Sequence, residues 1–245
     1  MTGSPSARRD NSATEAARGH GIGWRLRVAG WWVRDWLYAG VWQVRSLGPT
    51  GADDYRSGDR QPIVVLPGIY ETWHFMRPLM DALHDRGHPV FVVTALHHNL
   101  LPVRDSAALV MRHLVDEGLE DVLILAHSKG GLIGKYAMTQ DDPDERIDRM
   151  VAVATPFGGS TYARYAPTPA LRAFSAADPT LAELGADVGA NSRITSVFGV
   201  FDSLIPEGSE LEGAQNVRLA VGGHFRILSD PRTYRAVLAA VDPDA

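Results

Sequence analysis

An α/β fold built on a mostly parallel central sheet, with helices on both faces and a small lid insertion, is what this sequence predicts. Three observations carry the prediction. Short continuous runs of Val, Ile and Leu alternate with helix-like stretches from about residue 62 onward. Such runs lack the in–out alternation of a half-exposed strand, so they read as strands buried on both faces. Composition agrees: 45% hydrophobic and 22% charged residues over 245 positions describe an ordinary globular chain long enough to bury a sizeable core.

Each element follows in order. The run Ile63-Val64-Val65-Leu66 is the first strand, stopped by Pro67-Gly68. Residues 71–86 read as a helix ending at Gly87, and Val90 to Thr94 as the second strand. A helix over 103–117 ends at Gly118, and Val122 to Ala126 is the third strand. Lys129 to Met138 form the next helix and Met150 to Ala154 the fourth strand. Two late runs, Ile194 to Val200 and Val217 to Val221, supply the fifth and sixth strands. The closing helix spans 231–241, with Pro231 suited to its first turn. Between the fourth and fifth strands, residues 156–193 are too long for an ordinary connection and carry Pro156, Pro167, Pro169 and Pro179. They read as a small lid with one or two short helices.

The first 50 residues differ in character. Residues 1–20 are rich in Ser, Ala, Arg and Gly and read as a disordered tail. Arg8 and Arg9 resemble a twin-arginine start, yet no uninterrupted apolar region follows. A cytoplasmic location is therefore expected, with peripheral membrane contact as its variant. Residues 21–50 hold five of the six tryptophans, while Arg27, Arg34 and Arg45 fall on one stripe of a helical projection. Arg34-Asp35 interrupts the apolar run, so this segment does not reach the ~20 mostly apolar residues of a membrane span. Gly30, Gly40 and Gly48 argue against a continuous helix. Two readings stay open for 22–47: a helix lying in a membrane interface, or one packed on the domain or on a second copy. Deleting residues 1–47 is expected to change solubility or membrane association more than turnover of a soluble ester. Residues 51–245 form the domain proper.

Charge and cysteine exclude several classes. Residues 1–50 carry net +4 and the remainder −9. An acidic body lacks the basic stripe that nucleic-acid binding needs. No cysteine is present, which removes disulfides, thiolate metal sites and cysteine nucleophiles. His97 and His98 lie near the expected site mouth, but no carboxylate stands at metal-ligand spacing, so neither metal nor cofactor is expected.

The chemistry centres on Ala126-His127-Ser128-Lys129-Gly130-Gly131 at the end of the third strand. A serine between two small residues, after a buried strand and before a helix, fits a sharp strand–turn–helix. Only small side chains fit beside such a turn, and the hydroxyl is pushed out above the sheet. The free N–H groups of the following helix favour negative charge close by. His127 reads as a packed residue of this turn.

This string resembles the nucleophile elbow of the α/β-hydrolase superfamily, and of bacterial serine lipases and esterases in particular, with Ala126 in place of the first glycine. The resemblance covers residues 62–241 and implies the chain order serine, acid, histidine. Only His224, in Val221-Gly222-Gly223-His224-Phe225, lies beyond Ser128 among nine histidines. Asp202, in Phe201-Asp202-Ser203-Leu204-Ile205-Pro206, resembles the family's acid loop, with Glu207 and Asp187 as competitors. By the same resemblance the N–H groups of Ile69 and Lys129 form the oxyanion hole. Pro67 stands where a histidine is more usual. Ala154-Thr155-Pro156-Phe157-Gly158-Gly159-Ser160 looks like the loop entering a lipase lid, and Glu71 to Leu79 like the helix after the oxyanion turn. Tyr70 and Phe157 are candidate substrate-binding residues, and Tyr70 could equally pack. The Lys129 ammonium could attract an anionic head group or point into the fold.

The resemblance implies a carboxylic ester hydrolase working through an acyl-enzyme on Ser128, on a small-molecule or lipid ester. Acyltransferase, thioesterase and amidase chemistry would use the same three residues. A non-catalytic binding protein on the same scaffold is the alternative of another class. The sequence leaves the oligomeric state open.

Overall fold

Residues 22–45 and 51–243 are described in the computed structural model of the protein, and the tail expected over 1–20 falls outside them. In chain order the elements are α1 (Ile22–Arg45), β1 (Ile63–Leu66), α2 (Arg77–His84), β2 (Val90–Val92), α3 (Val103–Asp116), β3 (Val122–His127), α4 (Lys129–Tyr136) and β4 (Ile147–Val153). There follow α5 (Pro169–Arg172), α6 (Pro179–Ala186), β5 (Ile194–Phe201), β6 (Gln215–Gly222) and α7 (Pro231–Val241). The strands form one sheet in the order β2-β1-β3-β4-β5-β6, and every neighbouring pair is parallel.

Alternation along the strands explains the layers. Val64, Leu66, Ile124, Ala126, Met150 and Ala152 face a core closed by α3 and α4 and by the lid residues Phe174, Leu181 and Leu184. Their neighbours Ile63, Val65, Leu123, Leu125, Val151 and Val153 face a second core closed by α2 and α7 and by Trp42 of α1. A strand buried on both sides needs apolar residues at every position, which is why β1 and β3 read as unbroken runs. The chain builds outward from β1 in one direction and from β3 in the other. The crevice at their carboxyl ends is where open sheets of this kind place ligands.

Several elements depart from the sequence reading for physical reasons. The helix expected over 71–86 begins as a tight turn over Trp73–Met76 and becomes α-helical only at Arg77. Glu71 is withdrawn into the interior instead of starting a helix. Strand β4 begins at Ile147, its half-buried Asp148 and Arg149 having hidden its first turn of sheet. At the edge, β6 begins with exposed Gln215 and Asn216, whose polarity suits the solvent. Residues 156–193 hold the short helices α5 and α6, the latter capped where Asp178 accepts from the Thr180 N–H at 2.9 Å.

Helix α1 is continuous through Gly30 and Gly40. A Cβ at either glycine would meet nothing within 4 Å beyond the helix's own backbone, so both sit on the open side of the helix. The opposite side holds the helix to the domain. Trp31 stacks on Phe201 with ring centroids 6.0 Å apart, and Trp36 packs on Phe225 at 5.9 Å. The packed reading therefore holds for one face of this segment.

Candidate active site

Ser128 sits in the turn between β3 and α4 with φ 51° and ψ −119°. A non-glycine residue holds such a conformation only where its surroundings impose it. Here the Ser128 N–H donates to the Val153 carbonyl at 2.9 Å, tying the turn to β4. The two glycines that follow are steric necessities. A Cβ at Gly130 would lie 2.0 Å from the Leu66 carbonyl oxygen, and one at Gly131 would lie 2.1 Å from Thr155 Oγ1. Helix α4 thus runs so close to β1 and the β4 loop that only hydrogen atoms fit between.

Ser128, His224 and Asp202 meet. The His224 Nδ1 is 2.8 Å from Asp202 Oδ2, and its Nε2 is 2.9 Å from Ser128 Oγ. A carboxylate can only accept, so Nδ1 carries the proton and Nε2 is left to accept from the serine hydroxyl. The other Asp202 oxygen accepts from the Leu204 and Ile205 N–H groups at 2.8 and 3.0 Å, which fixes the carboxylate. Burial opposes charge on His224, but the Asp202 carboxylate, with weaker help from Glu71 and Asp35, outweighs it and holds the imidazole above its ordinary range. Burial likewise opposes charge on Asp202, and there His224 and the two N–H donors prevail, keeping its carboxyl below the usual carboxylate value. Glu207 instead accepts from the Thr161 N–H, and Asp187 accepts from the Gly189 N–H, away from this chain of bonds.

A cavity of about 170 Å³ opens onto Ser128 and His224. Its walls are mostly apolar, with Leu171 and Phe174 from the lid and Leu204, Ile205 and Phe225 from the two loops. Ile69 lines it too, and among the described residues its N–H has no protein acceptor. Lys129 is the first residue of α4, so its N–H is among those a helix leaves unpaired.

The remaining sequence candidates fall elsewhere. Tyr70 takes φ 61°, and its hydroxyl meets Thr168 Oγ1 at 3.0 Å, joining the turn after β1 to the lid instead of lining the cavity. Phe157 is buried in the core on the α3–α4 side, and its neighbour Pro156 faces the cavity in its place. The Lys129 ammonium donates to the Asn99 carbonyl at 2.8 Å and to the Leu101 carbonyl, and burial pushes it down to about 8. It pins the loop after β2 and does not reach the cavity. Among the described residues no group of three His, Asp or Glu could hold a metal ion.

Two buried carboxylates that the sequence reading passed over complete the site. Asp35 of α1 is fully buried, and it accepts from the N–H groups of His224, Phe225 and Arg226 at 2.8, 2.7 and 2.8 Å. The adjacent glycines make room for the helix. A Cβ at Gly222 would lie 2.2 Å from the Trp31 ring, and one at Gly223, where φ is 113°, would lie 2.7 Å from Asp35 Oδ1. Trp31, Asp35 and Trp42 share one stripe of α1, and that spacing was the available signal.

Glu71 holds the opposite side. One of its oxygens accepts from the Gly68 N–H at 2.9 Å and meets His127 Nδ1 at 2.8 Å. His127 Nε2 lies 3.0 Å from the His224 carbonyl, which can only accept, so that nitrogen carries a proton. A further proton must therefore sit between His127 Nδ1 and Glu71, since two lone pairs would repel. Glu71 and His127 so link the turn after β1, the serine turn and the histidine loop. The other Glu71 oxygen, Oε1, has no partner.

No protein-family model matches the chain, and no curated protein matches it in sequence. Solved structures do. A lipase from Bacillus licheniformis, in mature form, superposes with TM-score 0.60 at 15% identity, covering 79% of this chain and 94% of that one. Mouse alpha/beta hydrolase domain-containing protein 10 gives 0.55 at 12%, covering 76% and 90%. An extracellular alpha/beta-hydrolase from a Paenibacillus species gives 0.53 at 15%, covering 74% and 99%. At such identities the likeness speaks for the fold.

Proposed function

With the α/β-hydrolase fold as premise, we propose that this chain is a serine hydrolase that cleaves carboxylic esters through an acyl-enzyme on Ser128. The observation that carries the reading is the unbroken line of hydrogen bonds from Asp202 through His224 to Ser128 at the floor of an apolar cavity. A serine hydroxyl is a weak nucleophile unless a base takes its proton. His224 Nε2 is in position to do so. Oγ bonds to the ester carbonyl carbon as its proton passes to Nε2, and the carbonyl oxygen becomes an oxyanion. The N–H groups of Ile69 and Lys129 receive that charge. His224 then hands the proton to the departing alkoxide, leaving Ser128 acylated. Water repeats the sequence, giving its proton to Nε2, and the free acid and the Ser128 hydroxyl are released. Asp202 holds the imidazole in the working tautomer and stabilises its charged form throughout.

The cavity shapes the substrate class. Its apolar walls take an acyl chain, and its volume falls short of the several hundred Å³ that a drug-sized ligand fills. Short acyl esters therefore turn over faster than long ones. The test is a graded series of p-nitrophenyl esters together with a fluorophosphonate label. Wild type is expected to hydrolyse the short members and to be labelled at Ser128. The Ser128→Ala variant should lose both, with turnover falling by about four orders of magnitude or more. A wild type that is folded, unlabelled and inert on the whole series would refute the reading.

A further inference from the structure

Helix α1 has a second face that the domain leaves uncovered. Leu26, Val33, Leu37 and Val44 recur at spacings of seven, four and seven, which places them on one side of the helix. All four are exposed, Leu26 and Val44 by 69% and Leu37 by 64%. Trp32 and Trp36 stand on the border of this face, about half exposed. Single exposed apolar residues are ordinary, but a continuous stripe along a 24-residue helix marks a surface that binds something.

Charge selects the occupant. Arg25, Arg27, Arg34 and Arg45 are all exposed on this helix. Asp35, the sole acid of α1, is turned inward to the His224 loop, so the outer surface of the helix carries four positive charges and no negative one. Among the described residues Arg25, Arg27 and Arg34 make no ion pair, while Arg45 lies 5.0 Å over the Trp42 ring. A second copy seated helix to helix would set these arginines against each other with no acid between them. Among the described residues no helix is long and apolar enough to cross a bilayer.

We propose that the outer face of α1 docks the protein on an anionic lipid surface, the helix lying in the plane of the headgroups with its leucine and valine stripe turned into the acyl region. An apolar stripe flanked by arginines and bordered by tryptophans has the parts such a helix uses. Its position also connects it to the cavity. Trp32 shares a groove with Tyr162 and the Asp202 loop, and Tyr162 in turn lines the cavity above Ser128. Tyr162 and Tyr165 of the lid are themselves exposed. A docked protein would therefore hold its cavity mouth beside the lipid.

Vesicle co-flotation with the full chain tests this, using phosphatidylcholine vesicles with and without a third of phosphatidylglycerol. Partitioning should be at least about tenfold stronger on the anionic vesicles and weaken as salt rises. Arg27→Glu with Arg34→Glu should lower it by about tenfold or more, and Leu37→Glu by a similar factor, while both variants keep wild-type turnover of a soluble ester. Sedimentation velocity is run alongside. Equal partitioning on neutral and anionic vesicles overturns the proposal. So does an absence of vesicle binding accompanied by a dimer that Leu37→Glu dissociates, since the occupant would then be a second copy. Absence of both vesicle binding and self-association overturns it as well. Vesicle binding is read without turnover, so a protein that docks yet cleaves nothing would refute the esterase reading alone.

Discussion

The serine turn and the histidine loop end at the same hydrogen bond, but they are held in place by opposite means. The serine turn is a local construction: Gly130 and Gly131 clear the space, and β3 and α4 fix the direction. The histidine loop is held from elsewhere. Three of its N–H groups are satisfied by Asp35, 189 positions earlier for His224, and the carbonyl of His224 is held by His127. One half of the site is thus encoded in six consecutive residues, and the other depends on a helix outside the sheet-bearing domain. Deleting residues 1–47, expected to change solubility or membrane association more than turnover, would also remove these contacts to the histidine loop, which are made by helix α1. Its inner face belongs with the site, and only its outer face is free to bind.

Substitutions can break the contrast at either end, and the largest effect falls where the two halves join. Replacing Asp202 with Asn leaves the shape but removes the acceptor that fixes the His224 tautomer. Turnover of a soluble ester is expected to drop by about four orders of magnitude. On the serine side, Gly130→Ala places a methyl group against the Leu66 carbonyl, which cannot yield without moving β1. We expect about 3 kcal/mol or more of lost stability in urea unfolding, in the range of overpacking and backbone strain. Gly134→Ala on the same helix is the control. Its Cβ meets Met150 Sδ at 2.6 Å and Ile124 Cγ2 at 3.2 Å, side chains that can shift where a strand carbonyl cannot, so the loss should be smaller, about 1–2 kcal/mol. Equal losses from both would mean that the serine turn is not specially crowded.

On the histidine side, Asp35→Ala leaves three N–H groups without their acceptor, that of His224 buried, at a cost of about 1–3 kcal/mol, and those of Phe225 and Arg226 partly buried, at less. The His224 ring should then wander, lowering kcat by about a hundredfold, with a smaller rise in KM because Phe225, released with it, lines the cavity. A kcat loss below threefold in a folded Asp35→Ala protein would show that the loop holds itself. Deleting the whole helix would not make this distinction, since it also strips Trp31 from Phe201 and Trp36 from Phe225.

The same contrast explains what the sequence made legible. Ser128 could be found because its requirements are met by immediate neighbours, and the buried strands because burial on two faces leaves an unbroken apolar run. His224 and Asp202 were reachable through chain order and their place after strands. Asp35 and Glu71 were not, because a buried carboxylate looks in sequence like a surface one until its donors are known, and those donors are backbone N–H groups that any residue supplies. Arg34-Asp35 read as an interruption of an apolar helix, yet Asp35 is what attaches that helix. Tyr70 and Phe157 failed in the reverse sense. An aromatic beside a catalytic turn fits a pocket wall and a packing position equally well, and only the path of the lid decides.

The finest test of the remote clamp is Asp35→Asn, which keeps one acceptor oxygen and the shape but not the charge. An amide NH2 would face donors, so the plateau rate should fall by about tenfold, less than for Ala. The pH profile should respond separately. His224 must be neutral at Nε2 to take the serine proton, so activity rises with pH through the ionisation of that ring. Asp35 contributes to the field that holds His224 above its ordinary range, though less than Asp202 and Glu71 do. Removing the charge makes the imidazolium easier to deprotonate, and the rising limb of kcat/KM should move to lower pH. At a pH just below the wild-type limb, the variant would then retain a larger fraction of its own plateau than wild type does. A merely structural role for Asp35 would lower the plateau and leave the limb where it was, and a shift to higher pH would contradict the placement of this carboxylate beside the histidine.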